Sequence, residues 1–127
     1  MCYSQIVPKK TKTIFIIDDN EHILKPLSTL LSSFGYLVKT TTNGKDPKIT
    51  KKPFANLILL DMRLKDIGGQ DVCLRIKENK ETCHIPVIMF SADNRGKIIS
   101  KGAGADDFIE KPFVMANLLK KIEKHIS

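Results

Sequence analysis

The 127 residues give room for about one domain at the usual roughly 100–200 residues each, so one buried core is expected and no separate effector domain. With 42% hydrophobic and 28% charged residues, no apolar run near the roughly 18 that span a membrane, and no signal-peptide core in the first eight residues, a cytoplasmic globular protein without membrane insertion is expected. The net charge of +7 is scattered over Lys9, Lys10, Lys12, Lys51, Lys52, Lys120, Lys121 and Lys124, with no recognition helix or aromatic-interleaved stripe, so direct contact with nucleic acid is not expected.

Residues 1–11 read as a polar, flexible arm, and the domain proper as 12–127. Strand Thr13 to Asp18 leads to a helix start at Asn20-Glu21, with Ile23, Leu27, Leu30, Leu31 and Phe34 at helical spacing and Gly35 as a stop. Pro26 removes a backbone donor inside that helix and is expected to bend it near His22. Tyr36 to Thr41 reads as the second strand. A short helix is expected over residues 45–52, with Asp46 as its cap and Pro47 as its first residue. Leu57 to Asp61 is the third strand, and after Ile67-Gly68-Gly69 a helix runs through Val72, Ile76 and Lys80. Ile85 to Ser91 and Asp106 to Glu110 are the fourth and fifth strands, separated by a short helix around Arg95 to Ser100. A last helix after Lys111-Pro112 carries Leu118, Leu119, Ile122 and Ile126 on its buried side.

Five strands alternating with five helices predict an α/β, doubly wound, parallel sheet. The unbroken apolar runs Ile14 to Ile17, Leu57 to Leu60 and Val87 to Phe90 suit strands buried on both faces. Ligands in such sheets bind beyond the carboxyl ends of the strands. There the runs end on Asp18-Asp19, Asp61, Ser91 and, after Phe108-Ile109, on Glu110-Lys111. The three aspartates, the Ser91 hydroxyl and the Lys111 ammonium brought together would suit a divalent cation and a phosphoryl group. Taken singly, each acid reads more simply as a cap or loop residue, Lys111 as a surface lysine and Ser91 as a turn residue. Cys2, Cys73 and Cys83 form no Cys-x-x-Cys pair and read as reduced thiols. Cys83-His84 lacks zinc-ligand spacing, and His22 and His125 read as solvated surface residues.

In this order, Asp18-Asp19, Asp61, Gly69, Ser91 and Lys111-Pro112-Phe113 resemble the response-regulator receiver domain of two-component signalling, over roughly residues 12 to 127. The resemblance implies a flavodoxin-like fold with strand order 2-1-3-4-5. It implies a signalling acceptor rather than an enzyme, phosphorylated on Asp61 by a sensor histidine kinase or a histidine phosphotransfer protein. Asp18, Asp19, Asp61 and the backbone carbonyl of Arg63 would hold Mg²⁺, with Mn²⁺ as a substitute. Lys111 and Ser91 would bind the phosphoryl group, Ser91 and Phe108 would switch, and Arg63 and Asp93 would tune its lifetime; their opposite charges suggest an ion pair over the site that would slow the approach of water. The readout face would be the fourth helix, fifth strand and fifth helix, roughly residues 94–127; homodimerisation on phosphorylation and the downstream target are left open.

The chain departs from the family where Phe108 replaces a frequent tyrosine, where Lys65 replaces a proline, and where Asn56 replaces an acid before the third strand. Two other readings stand beside this one: a receiver-like scaffold that works without phosphorylation, and a receiver excised from a larger transcription regulator or hybrid kinase. A phosphatase of the haloacid dehalogenase type would want a second acid two residues beyond Asp61, where Arg63 stands.

Overall fold

A computed structural model describes residues 11–50, 55–64 and 67–126. The expected arm up to residue 10, together with Lys51, Lys52, Lys65 and Cys2, lies outside the described residues. The elements are β1 (Thr13–Ile17), α1 (Glu21–Ser33), β2 (Leu37–Thr41), β3 (Leu57–Asp61), α2 (Gly69–Glu78), β4 (Val87–Ser91), α3 (Gly96–Gly102), β5 (Asp107–Glu110) and α4 (Met115–Ile126). The five strands are parallel in the order β2-β1-β3-β4-β5.

Burial explains the sequence pattern. β1, β3 and β4 are the inner strands and are buried along their whole length, whereas β2 is an edge strand with Leu37, Lys39 and Thr40 exposed. Alternate side chains feed two cores. Phe15, Ile17, Ile58, Leu60, Val87 and Met89 pack with Val72, Cys73 and Ile76 of α2, and Ile99 of α3 closes that layer. Ile14, Ile16, Leu57, Leu59, Ile88, Phe90 and Ile109 pack with Leu24, Leu27 and Leu31 of α1 and with Leu118 and Ile122 of α4. Each fully buried aliphatic side chain contributes about 1.5–3 kcal/mol. Shortening one to alanine would cost about 2–5 kcal/mol, because a void would remain.

The helix boundaries follow local chemistry. Asn20 caps α1 by accepting from the amide of His22 at 3.0 Å, and the helix runs on through Pro26, which faces solvent. α2 stops at Glu78 rather than reaching Lys80, since Asn79 is extended and the Thr82 hydroxyl takes the Ile76 carbonyl at 2.6 Å. Leu118 and Ile122 of α4 are buried as expected, while Leu119 and Ile126 are partly so.

The second expected helix is corrected: among the described residues it is one 3₁₀ turn, Pro47–Ile49, leaving four α-helices rather than five. Asp46 does cap the turn, accepting from the amide of Lys48 at 3.0 Å, and Pro47 does open it. The amides of Ile49 and Thr50 bond only three residues back, so the backbone winds tightly instead of continuing as an α-helix.

The amino ends of the inner strands are closed by reciprocal hydrogen bonds. The amide of Thr13 donates to Asn56 Oδ1 at 2.8 Å, and the amide of Asn56 donates back to the Thr13 carbonyl at 2.8 Å. Asn56 therefore supplies an acceptor oxygen without an acid. Asp106 does the same for β4: its Oδ2 accepts from the amide of Val87, and its amide donates to the Val87 carbonyl, both at 2.8 Å.

Candidate functional site

Asp18 and Asp61 stand at the carboxyl ends of adjacent strands, and their parity puts them on the face covered by α1 and α4. Asp18, Asp19 and Asp61 each offer an oxygen, and these oxygens lie within 4.8 Å of one another. They are the one such cluster of potential metal ligands among the described residues. Cys83-His84 takes no part in it, and Cys73 and Cys83 are unpaired thiols. Burial pushes the Cys73 thiol up to about 11, so that thiol is inert at neutral pH.

Asp18 is fully buried. Its Oδ1 accepts from the amide of Asn20 at 2.9 Å, while its Oδ2 has no hydrogen-bond partner and lies 3.9 Å from the Lys111 ammonium. Asp61 Oδ1 receives Lys111 Nζ and the amide of Arg63, both at 3.4 Å. Burial raises the Asp18 carboxyl to about 6; the charges of Asp61 and Asp19 add to this, and the Asn20 amide and Lys111 do not offset it. Burial, with Asp19 adding, also raises Asp61 above the usual carboxylate range despite Lys111. Lys111 is the ammonium recorded against both Asp18 and Asp61 among the described residues.

The neighbouring loops complete the rim. The amide of Lys111 donates to the Ser91 carbonyl at 2.9 Å, tying the β5 end to the β4 end. Ser91 Oγ accepts from the amide of Asp93 at 2.9 Å. Arg63 and Asp93 meet, with Arg63 Nη2 3.4 Å from Asp93 Oδ2, and Arg95 Nε approaches the other oxygen at 3.6 Å. The hydrogen bond from the Arg95 amide, with both arginine side chains assisting, holds the Asp93 carboxyl below its usual range.

Two glycines shape the site by what they leave out. A Cβ on Gly69 would strike the Asp61 carbonyl and the Met62 backbone, so α2 can start directly against the end of β3 only with glycine there. A Cβ on Gly96 would lie 2.7 Å from the Phe108 ring and 3.3 Å from Ser91 Cβ. The half-buried Phe108 ring thus rests on Gly96 beside Ser91, in the layer covered by α2 and α3.

Three features escaped the sequence reading. Phe90 places its ring centroid 4.6 Å from Lys111 Nζ. Gly96 forms the seat of Phe108. His125 is not simply solvated: its Nε2 lies 3.0 Å from Asp107 Oδ2, and Lys121 Nζ lies 2.9 Å from Asp107 Oδ1. Only the register between strands could have revealed the first, and the i, i+4 spacing of Lys121 and His125 hinted at the third.

A parallel 2-1-3-4-5 sheet with acids, a hydroxyl and a lysine at its strand ends defines a receiver-type signalling domain. The chain belongs to the response regulator receiver domain family, which it matches over residues 14–123. It is 40% identical over 116 residues to the nisin biosynthesis regulatory protein NisR of Lactococcus lactis subsp. lactis, covering 89% of this chain and 49% of that protein. It is 34% identical over 112 residues to the DNA-binding dual master transcriptional regulator RpaA of Synechocystis sp., covering 86% of this chain and 46% of that protein. The chain therefore spans about half the length of these curated relatives. Among solved structures it is similar to a CheY-like response regulator receiver domain protein from Methanospirillum hungatei JF-1, at 29% identity and a TM-score of 0.83, covering 91% of this chain and 94% of that one. No helix among the described residues is long and apolar enough to cross a membrane.

Proposed function

We propose that this receiver accepts a phosphoryl group on Asp61 from a sensor histidine kinase or a histidine phosphotransfer protein, in a Mg²⁺-dependent reaction. The observation that carries the reading is the buried carboxylate cluster, with Asp18 Oδ2 left without a hydrogen-bond partner and Lys111 Nζ reaching toward both Asp18 and Asp61. A buried charged oxygen without a partner is costly, and three hard oxygen donors suit Mg²⁺. Asp18, Asp19, Asp61 and the Arg63 carbonyl would hold the ion, and Mn²⁺ would substitute. Bound there, the ion supplies positive charge that a phosphodonor needs when it approaches three carboxylates.

The chain's own residues do the rest. An Asp61 carboxylate oxygen attacks phosphorus and forms the Asp61 acyl phosphate, while the donor's nitrogen–phosphorus bond breaks and its imidazole leaves with the electron pair. Lys111 neutralises phosphoryl charge as a point cation. The Ser91 hydroxyl exchanges the Asp93 amide for a phosphoryl oxygen, and Phe108, which shares its surroundings, responds. An open cleft bordered by Asp19, Asn20, Glu21, His22 and Thr42 offers the donor a path to the cluster. Arg63 and Asp93, paired across the rim, would slow the approach of water and so lengthen the phosphoryl lifetime.

The readout face would be α3, β5 and α4, which correspond to the expected fourth helix, fifth strand and fifth helix. Ile98 and Val114 are strongly exposed there, at 77% and 61%. Such a face suits a protein partner, including a second copy of the chain. What output the whole protein delivers follows from that partner, and the two DNA-binding or biosynthesis regulators above make a transcriptional output the natural one to test.

Incubation with Mg²⁺ and acetyl phosphate, read by intact-mass spectrometry, tests the reading. The wild type should gain one phosphoryl mass and Asp61→Asn none. Equal gain by both proteins would overturn the assignment, and no gain together with no Mg²⁺ binding would favour the phosphorylation-independent scaffold.

A further inference from the structure

The lysine of this site is held on one side by carboxylates and on the other by an aromatic ring. Asp61 and Phe90 are register partners on β3 and β4, and Phe90 pairs with Ile109 on β5, two residues before Lys111. Phe90 and Ile109 belong to the core layer under α1 and α4, the side on which Asp61 emerges. The sheet register therefore places the ring beside both the acceptor and the strand that delivers the lysine. Lys111 Nζ lies 4.6 Å from the Phe90 ring centroid, 3.4 Å from Asp61 Oδ1 and 3.9 Å from Asp18 Oδ2.

We propose that Phe90 is a positioning residue for phosphoryl transfer, holding the Lys111 ammonium over its ring face and aimed at Asp61. This rests on the reading of Asp61 as acceptor. The ring is well suited to hold still: Phe90 is 2% exposed, and Phe113 braces it edge-on at 6.3 Å with the ring planes at 79°. Its backbone carbonyl accepts from the amide of Met62 at 3.1 Å, one residue past the acceptor.

The negative ring face attracts an ammonium, and the attraction grows when water is excluded. Lys111 is a long side chain with only one carboxylate at 3.4 Å and another at 3.9 Å to fix it. Both carboxylates are engaged elsewhere during the proposed reaction, Asp61 as the acyl phosphate and Asp18 as a residue that would hold Mg²⁺. The ring is engaged in neither way. It cannot bind a proton or a hard cation in competition with the carboxylates, so it keeps Lys111 in place while its anionic partners are occupied elsewhere.

The test varies the ring's electrostatics at nearly constant shape, by placing phenylalanines of increasing fluorination at position 90. The initial rate of Asp61 phosphorylation by acetyl phosphate with Mg²⁺ is measured for each. The account expects the logarithm of the rate to fall steadily with fluorination, and Phe90→Leu to be slower by about fivefold. A second reading is taken without any phosphodonor: the Lys111 ε-methylene protons should be shifted upfield by the ring current, and the shift should vanish in Phe90→Leu. Thermal melting confirms that each variant is folded. A wild type that accepts phosphoryl at a rate indifferent to fluorination would overturn the role of Phe90 and leave Asp61 as acceptor. A wild type that accepts none would overturn the acceptor reading, and with it any role for Phe90 in transfer. Lys111 ε-protons without an upfield shift would overturn the placement in either case.

Discussion

Two lysine–aspartate pairs sit at opposite ends of the same sheet, and they are built differently. At the amino ends of the strands, Lys77 Nζ lies 2.7 Å from Asp106 Oδ2 and also donates to the carbonyls of Ile85 at 2.8 Å and Cys83 at 3.4 Å. Asp106 Oδ2 in turn accepts from the amide of Val87 at 2.8 Å. At the carboxyl ends, Lys111 stands 3.4 Å from Asp61 and 3.9 Å from Asp18, whose Oδ2 has no hydrogen-bond partner. The first pair is held by short hydrogen bonds on both partners and joins α2 to the starts of β4 and β5. The second is looser, with longer contacts and a buried carboxylate oxygen left without a hydrogen-bond partner, which suits the proposed ligand site. Residue type alone does not distinguish structure from function here; the completeness of the hydrogen bonding does.

The sharpest way to break the comparison is to remove one acid from each pair. Asp61→Asn should reduce phosphoryl uptake by roughly a hundredfold or more. Its melting temperature should be no lower than that of wild type, because burial already disfavours a charge at that position. Asp106→Ala should do the reverse, leaving uptake unchanged and lowering the unfolding free energy by about 1–3 kcal/mol, because the Val87 amide and Lys77 lose their acceptor. Urea unfolding measured beside the uptake assay separates the two effects.

Gly96→Ala probes the boundary between the carboxylate cluster and the proposed readout face. Its methyl would meet the Phe108 ring at 2.7 Å, so the ring must swing outward, at a cost of about 1–3 kcal/mol. Amide spectra should show changes confined to α3, β5 and the Ser91 loop.

A weaker effect is expected from the third cluster, where Asp107 meets Lys121 and His125. Burial raises the Asp107 carboxyl, but the hydrogen bonds from Lys121 and His125 outweigh it and bring the group to about 2, below its ordinary 3.8. A carboxyl depressed in the folded state stabilises above its unfolded value and loses that contribution as the pH falls through the folded value. Stability should therefore decline between about pH 4 and pH 2, and Asp107→Asn should flatten that part of the curve. The smallest effect belongs to Arg63→Ala. Dephosphorylation should quicken by only about twofold, because exposed ion pairs are weak and Arg95 still accompanies Asp93.

The sheet and the acids were legible for one reason: a strand buried on both faces is written as an unbroken apolar run, and the first polar residue after it marks the strand end. Asp18, Asp61, Ser91 and Lys111 were found that way, whereas Arg63 and Asp93, 3.4 Å apart, were singled out by the positions they share with the receiver family. The 45–52 segment misled because Asp46-Pro47 is a sound helix opening, yet a good opening does not fix how far or how tightly the backbone winds. Phe90 was hidden because a phenylalanine in a buried run looks like any other core residue. Its closeness to Lys111 depends on which residues of β3, β4 and β5 lie side by side, and that belongs to the register rather than to any one strand. The contact of Asp107 with His125 spans 18 residues and needs the packing of α4 against β5 before it can be seen.

The most direct measurement is to locate the phosphoryl group after acetyl phosphate treatment, by reducing the acyl phosphate with borohydride and mapping the altered residue by peptide mass spectrometry. The account predicts homoserine at position 61 alone. Modification at Asp18, at Asp19 or at Asp106 instead would contradict it.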